Sequence, residues 1–95
     1  MKKLPRLSFH MLLALKYLFI SPNGLYGKEI MDRARAASGS IYPMLKTLER
    51  NKMIRGRREK GDPRKLGRPL RTIYVLTAQG GKWAKGLLDE LALSE

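Results

Sequence analysis

Ser40-Ile-Tyr-Pro-Met-Leu-Lys-Thr-Leu-Glu-Arg-Asn51 is the stretch that decides the fold. Ile41, Leu45 and Leu48 recur at helical spacing with Met44 alongside, which predicts a helix with one buried stripe. Ser40 is the expected N-cap, placing Pro43 in the first turn, where a missing N–H is tolerated. The opposite side carries Tyr42, Lys46 and Arg50, spaced four apart and so on one face, with Thr47 beside them. An aromatic hydroxyl, an amine and a guanidinium on one stripe suit the major groove of DNA. At the helix start, Ser38, Gly39 and Ser40 offer small side chains and free amides at the positive end of the helix dipole, which suit a phosphate. Taken alone, the stripe also reads as a solvated face balanced by Glu49.

Upstream, Leu12, Leu15 and Phe19, and likewise Met11, Leu15 and Leu18, mark an amphipathic helix with Ser8 as its N-cap. Ser21-Pro-Asn-Gly24 ends it with strong turn chemistry. Leu25-Tyr26 reads as a short extended link. Gly27 is the expected cap of a second helix through Ile30, Met31 and Ala34. The small residues Ala36-Ala-Ser-Gly39 then make a tight turn, so the second and third helices form a helix-turn-helix.

Downstream, Met53 to Arg58 reads as a strand. Glu59 to Leu70 holds Gly61-Asp-Pro63 and Gly67-Arg-Pro69, and is expected to be a loop. Arg71-Thr-Ile-Tyr-Val-Leu76 alternates and is rich in β-branched residues, so it is the returning strand. Thr77 is the expected cap of a last helix carrying Trp83, Leu87, Leu88 and Leu91. The resulting fold class is mainly α with a small antiparallel β-hairpin, a winged helix-turn-helix of order α-α-α-β-wing-β-α. The expected organisation is a single domain over 1–95, with a reading helix at about 40–51, a wing at about 53–76 and a C-terminal helix at about 78–92. Tyr26 and Tyr74 read as structural, and Trp83 as packing in the core or against a second copy.

The charge points to the partner. Across 95 residues there are 20 Lys and Arg against 8 Asp and Glu, a net +12. From Lys46 to Arg71 there are eleven cations and three anions, leaving +8 in about a quarter of the chain. Such a concentration disfavours compaction unless a polyanion relieves it, and nucleic acid is the usual one. Within the hairpin, Arg64, Lys65 and Arg68 are the expected tip cations, able to follow a phosphate backbone or enter a narrow minor groove.

Ser38-Gly-Ser-Ile-Tyr-Pro-Met-Leu-Lys-Thr-Leu-Glu49 resembles the third-helix motif of the PadR-like family of bacterial and archaeal repressors. Leu25-Tyr-Gly-Lys-Glu-Ile30 is similar to that family's start of helix two. Gly67-Arg-Pro-Leu-Arg-Thr-Ile-Tyr-Val-Leu-Thr-Ala-Gln-Gly80 looks like its wing exit, second strand and last-helix start. The similarity runs from roughly Leu7 to Leu91. It implies a dimer on a palindromic operator, with Ser38, Ser40 and Tyr42 contacting DNA from helix three and the wing arginines contacting it from the hairpin. It also implies that a small aromatic or lipophilic effector releases DNA in some members. Where the family usually has Gly after helix three this chain has Lys52, and Asn51 is expected to take the left-handed cap conformation instead. The C-terminal helix is expected both to pack the core and to meet a second copy. Its acidic end, Asp89, Glu90 and Glu95, opposes the helix dipole.

Other function classes find little support. There is no cysteine and one histidine, His10, so thiol catalysis and zinc ribbons are excluded and no metal site or catalytic triad can be assembled from the sequence. Gly24-Leu-Tyr-Gly27-Lys28-Glu29 fails as a phosphate loop, with two residues between the glycines and Glu where Ser or Thr must hold magnesium. No cofactor is expected. Lys2, Lys3 and Arg6 before an apolar stretch imitate a signal peptide, but His10 and Lys16 interrupt that stretch, and no apolar run reaches a membrane span of about 20 residues. The chain reads as a cytoplasmic DNA-binding regulator without a membrane partner. The alternatives are a basic winged helix on structured RNA and a protein-interaction module.

Overall fold

The computed structural model describes residues 8–90. Eight elements follow in order: α1 Phe9–Phe19, β1 Leu25–Tyr26, α2 Gly27–Ala34, α3 Ser38–Arg50, β2 Ile54–Arg58, α4 Pro63–Leu66, β3 Thr72–Leu76 and α5 Ala78–Glu90. The strands form one antiparallel sheet in the order β1-β3-β2. Arg55 lies opposite Val75, Gly56 opposite Tyr74 and Arg57 opposite Ile73. The mainly helical winged helix-turn-helix expected from the sequence is the observed fold.

The core sits between α1, α2, α3, α5 and the inner face of the sheet. Leu15, Leu18, Ile30, Ile41, Met44, Leu45, Leu48, Ile54 and Leu88 are all fully buried in it. Each contributes about 1.5–3 kcal/mol of transfer free energy. The predicted stripe of α3 is therefore the stripe that is buried. Trp83 and Leu87 pack at the margin, half-buried. Leu91 lies outside the described residues.

Ser8 caps α1 as expected, its Oγ accepting from the Met11 amide at 3.3 Å. His10 reaches from α1 to the end of α2, with Nδ1 2.9 Å from the Ala34 carbonyl. A carbonyl only accepts, so Nδ1 carries the proton and closes an end group that α2 cannot satisfy itself. The link Leu25–Tyr26 is a third strand, paired with β3. Two residues are too few to show a period, which is why the sequence does not reveal the pairing.

Two caps differ from expectation. Tyr26, not Gly27, is the N-cap of α2, and its amide donates to the Glu29 carboxylate at 2.9 Å. Helix α3 starts two residues early, with Ala37 as N-cap, because the Ala37 carbonyl already accepts from the Ile41 amide at 3.1 Å. Pro43 consequently sits in the second turn. Its missing N–H removes the bond to the Gly39 carbonyl, which is tolerated because Gly39 is exposed and nothing crowds it.

Helix α3 ends in a Schellman motif: Met53 N–H donates to Leu48 O at 2.9 Å and Lys52 N–H to Glu49 O at 3.0 Å. The left-handed residue is Lys52 at φ +60°, not Asn51, whose φ is −89°. Asn51 is buried instead, its amide donating to Thr47 O at 2.9 Å. Helix α2 ends the same way, with Arg35 left-handed at φ +53° and Ala36 N–H donating to Met31 O.

Thr77 caps α5 as expected. Its Oγ1 accepts from the Gly80 amide at 3.0 Å and donates to Lys52 O at 2.6 Å. A Cβ on Gly80 would lie 1.7 Å from the Met53 carbonyl oxygen, so only glycine lets the start of α5 lie against the start of β2.

Candidate nucleic-acid interface

The exposed side of α3 carries Tyr42, Pro43, Lys46, Glu49 and Arg50. Tyr42 is held in place from below. A Cβ on Gly27 would come within 2.9 Å of its ring and of its hydroxyl, so the ring rests on the first residue of α2. One hollow of about 230 Å³ joins Tyr42 to Lys28 on α2 and to Arg71 beside β3. A second, of about 490 Å³, runs along α3 past Lys46 and Glu49 to Tyr74. Burial, then the Glu49 charge, raises the Tyr74 pKa above the ordinary phenol value, so Tyr74 stays a neutral hydroxyl.

Ser38, Gly39 and Ser40 form the exposed first turn of α3. Ala37 has no side-chain oxygen with which to close the first amides, and Ser40 N–H already donates to Ala37 O at 3.0 Å. Thr47 is half-buried, and its hydroxyl donates to the Pro43 carbonyl at 3.1 Å, so its proton is committed to the helix backbone.

The wing differs from a floppy loop. Residues 63–66 form the single turn α4, where the sequence alone leads one to expect loop. Asp62 caps it, accepting from the Arg64 amide at 2.9 Å, and Gly67 closes it at φ +70°. Arg64 and Lys65 are exposed on this turn. Arg68 is placed elsewhere. Its guanidinium is bidentate on Glu59, at 2.6 and 2.9 Å, at the neck of the hairpin. The Arg71 amide donates to the same carboxylate at 3.1 Å, and the Tyr26 hydroxyl lies 3.4 Å from it. The Arg71 guanidinium stacks 4.8 Å over the Tyr26 ring. The Arg68 pair first, and the Arg71 amide second, hold the Glu59 carboxyl down to about 2.

The structure thus brings Tyr42, Lys46 and the first turn of α3 onto one surface, with Arg50 at its far end. It sets Arg64 and Lys65 out on the tip and Arg68 at the neck. Lys28 and Arg71 are not singled out by the sequence, although both line the same hollow as Tyr42. Lys28 follows the Leu-Tyr-Gly start of α2 and Arg71 follows Arg68-Pro, so the signal is proximity in the fold, which one sequence does not display. Among the described residues no three His, Asp or Glu side chains gather as a metal site, and no helix is long and apolar enough to cross a membrane.

The fold is shared with solved structures. The S. aureus MepR–DNA complex superposes with a TM-score of 0.67 at 23% identity, over 90% of this chain and 61% of that one. A mutant MepR from a multidrug-resistant S. aureus clinical isolate gives 0.66 at 24%, over 81% of this chain, and this chain spans about half of it (52%). A PadR-like transcription factor from Bacteroides fragilis gives 0.64 at 19%, over 87% and 82% of the two chains. No curated protein matches the sequence. The model of the Transcriptional regulator PadR-like family matches residues 18–85, well over half of the chain, and the chain therefore belongs to that family of transcriptional regulators.

Proposed function

We propose that the chain works as one winged-helix unit that reads double-stranded DNA and represses transcription. Helix α3 lies in the major groove, where Tyr42, Lys46 and Arg50 face base edges and backbone. The amides of Ser38 and Gly39 take a phosphate. Arg64 and Lys65 on α4 reach the flanking backbone or minor groove. The observation that carries this reading is the hollow in which Tyr42 of α3 meets Lys28 and Arg71, joining the helix face to the base of the wing. A hollow lined by an aromatic ring and two cations lets a phosphate strand pass between helix and wing. The MepR structure with DNA, of the same fold, supports the assignment.

Two copies joined through α5 would set two α3 helices about 34 Å apart, in successive major grooves. The reading needs no catalytic group. A fluorescence-anisotropy titration against random duplex DNA and structured RNA, across roughly 50–200 mM salt, tests it. Duplex preference with a steep negative salt slope is expected. Preference for RNA, or no binding at low salt, overturns it.

A further inference from the structure

The sheet has a second cationic face. Strand alternation turns Gly56 and Tyr74 toward α3, where Gly56 lies close to the Glu49 carboxylate. It turns Arg55 and Arg57 the other way, opposite Val75 and Ile73. On that side the two arginines border a hollow of about 440 Å³, floored by Ile73 and Val75 and closed by Pro22 and Asn23. Gly24 lets the turn after α1 lie down on the sheet. A Cβ there would come within 2.5 Å of Ile73 and 2.8 Å of Val75.

Among the described residues Arg55 and Arg57 make no ion pair, and the Glu59 carboxylate is taken by Arg68 and the Arg71 amide. Arginines that merely protect an outer strand from edge pairing need no hollow beside them. Here two charges two residues apart, about 6.5–7 Å along the strand, flank a β-branched floor.

We propose that this face binds an acidic, partly apolar peptide segment of a partner protein. Two carboxylates pair with Arg55 and Arg57, and an apolar side chain seats on Ile73 and Val75. A phosphate backbone supplies the charge but nothing for that floor. The face is turned away from α3, so a peptide here and a duplex on α3 are held on opposite sides of the sheet. The inference does not rest on the DNA reading.

The test uses two fluorescein-labelled peptides of equal charge, one alternating Glu with Leu and one alternating Glu with Ser, followed by anisotropy. The Leu peptide is expected to bind more tightly than the Ser peptide. Arg55→Ala with Arg57→Ala should weaken the Leu peptide about tenfold, the loss of roughly 1.4 kcal/mol. The charge-matched pair Arg64→Ala with Lys65→Ala should weaken it by less than about twofold, because screened distant charges contribute little. Saturating duplex should leave the peptide bound. Equal binding of the two peptides, equal loss in the two double variants, or displacement of the peptide by duplex overturns the proposal. All four substituted side chains are exposed, and coincident thermal melts establish that both variants remain folded.

Discussion

Lys52→Gly should be more stable than Lys52→Ala. Lys52 holds the left-handed position of the Schellman motif at φ +60°, where an L side chain brings Cβ too close to the following carbonyl. That conformation costs about 1–2 kcal/mol. Glycine removes the cost but loses more freedom on folding, about 0.5–1 kcal/mol. The balance favours glycine over alanine at this position by about 0.5–1 kcal/mol, or about 2–8 °C in Tm for a domain of this size. The backbone bonds of the motif are unaffected, because they use Lys52 N–H and Met53 N–H. Lys52→Ala is the control. It keeps Cβ and the strain and, like the glycine, lacks the amine beside the helix C-terminus, where a cation contributes about 0.3–1 kcal/mol. Urea titration and thermal melts followed by circular dichroism should rank Gly above Ala, with Ala below Lys. If Gly is no more stable than Ala, Lys52 is not strained and the account of this turn is wrong.

Gly80→Ala should destabilise by about 3 kcal/mol or more, since its Cβ must displace the Met53 carbonyl. Gly81→Ala, with open space at its Cβ, should stabilise by up to about 1 kcal/mol; equal effects in denaturant would remove the close approach of α5 to β2. A carboxyl NMR titration should give Glu59 a midpoint near 2 instead of its ordinary 4.5. Because the folded value is the lower one, the wing latch is fully present above about pH 4.5 and is lost as pH falls through about 2; a midpoint near 4.5 refutes the latch. Tyr42→Ala should flatten preference among duplex sequences, whereas Arg64→Ala should weaken all of them and reduce the salt slope by about 0.9. Identical behaviour of the two variants would deny the division between reading helix and wing.

What is legible in the sequence follows from period and punctuation. The α3 stripe can be read because four large apolar residues repeat along one face, and the hairpin because β-branched alternation follows a turn-rich segment. The boundaries that move are those set by backbone bonding. Ala37 caps α3 through its carbonyl, which any residue supplies, so Ser40 is the more visible but incorrect choice. Lys52 is left-handed because Asn51 is more useful buried, with its amide on the Thr47 carbonyl. The turn α4 escapes the sequence because four residues cannot show a helical period, although Asp62 before Pro63 and Gly67 after Leu66 are its cap residues.

The arginines of the wing look alike in sequence and differ in the structure, and the difference bears on how a wing binds. A flexible basic loop loses conformational entropy on docking, of order 1 kcal/mol per fixed residue. Here that loss occurs on folding. Glu59 gathers Arg68 and the Arg71 amide at the neck, and Asp62 winds the tip into one turn that presents Arg64 and Lys65. Arg68 is thus a positioning residue, and Arg68→Ala differs in kind from Arg64→Ala. The first removes the bidentate partner of Glu59, leaving the Arg71 amide on that carboxylate, and loosens the neck, and the second deletes one charge from a tip that keeps its shape. Glu59→Gln separates the two effects, because it loosens the neck while raising the net positive charge. If Glu59→Gln weakens duplex binding despite that added charge, wing order outweighs wing charge. If it strengthens binding, electrostatics alone governs the wing and the latch has no part in recognition.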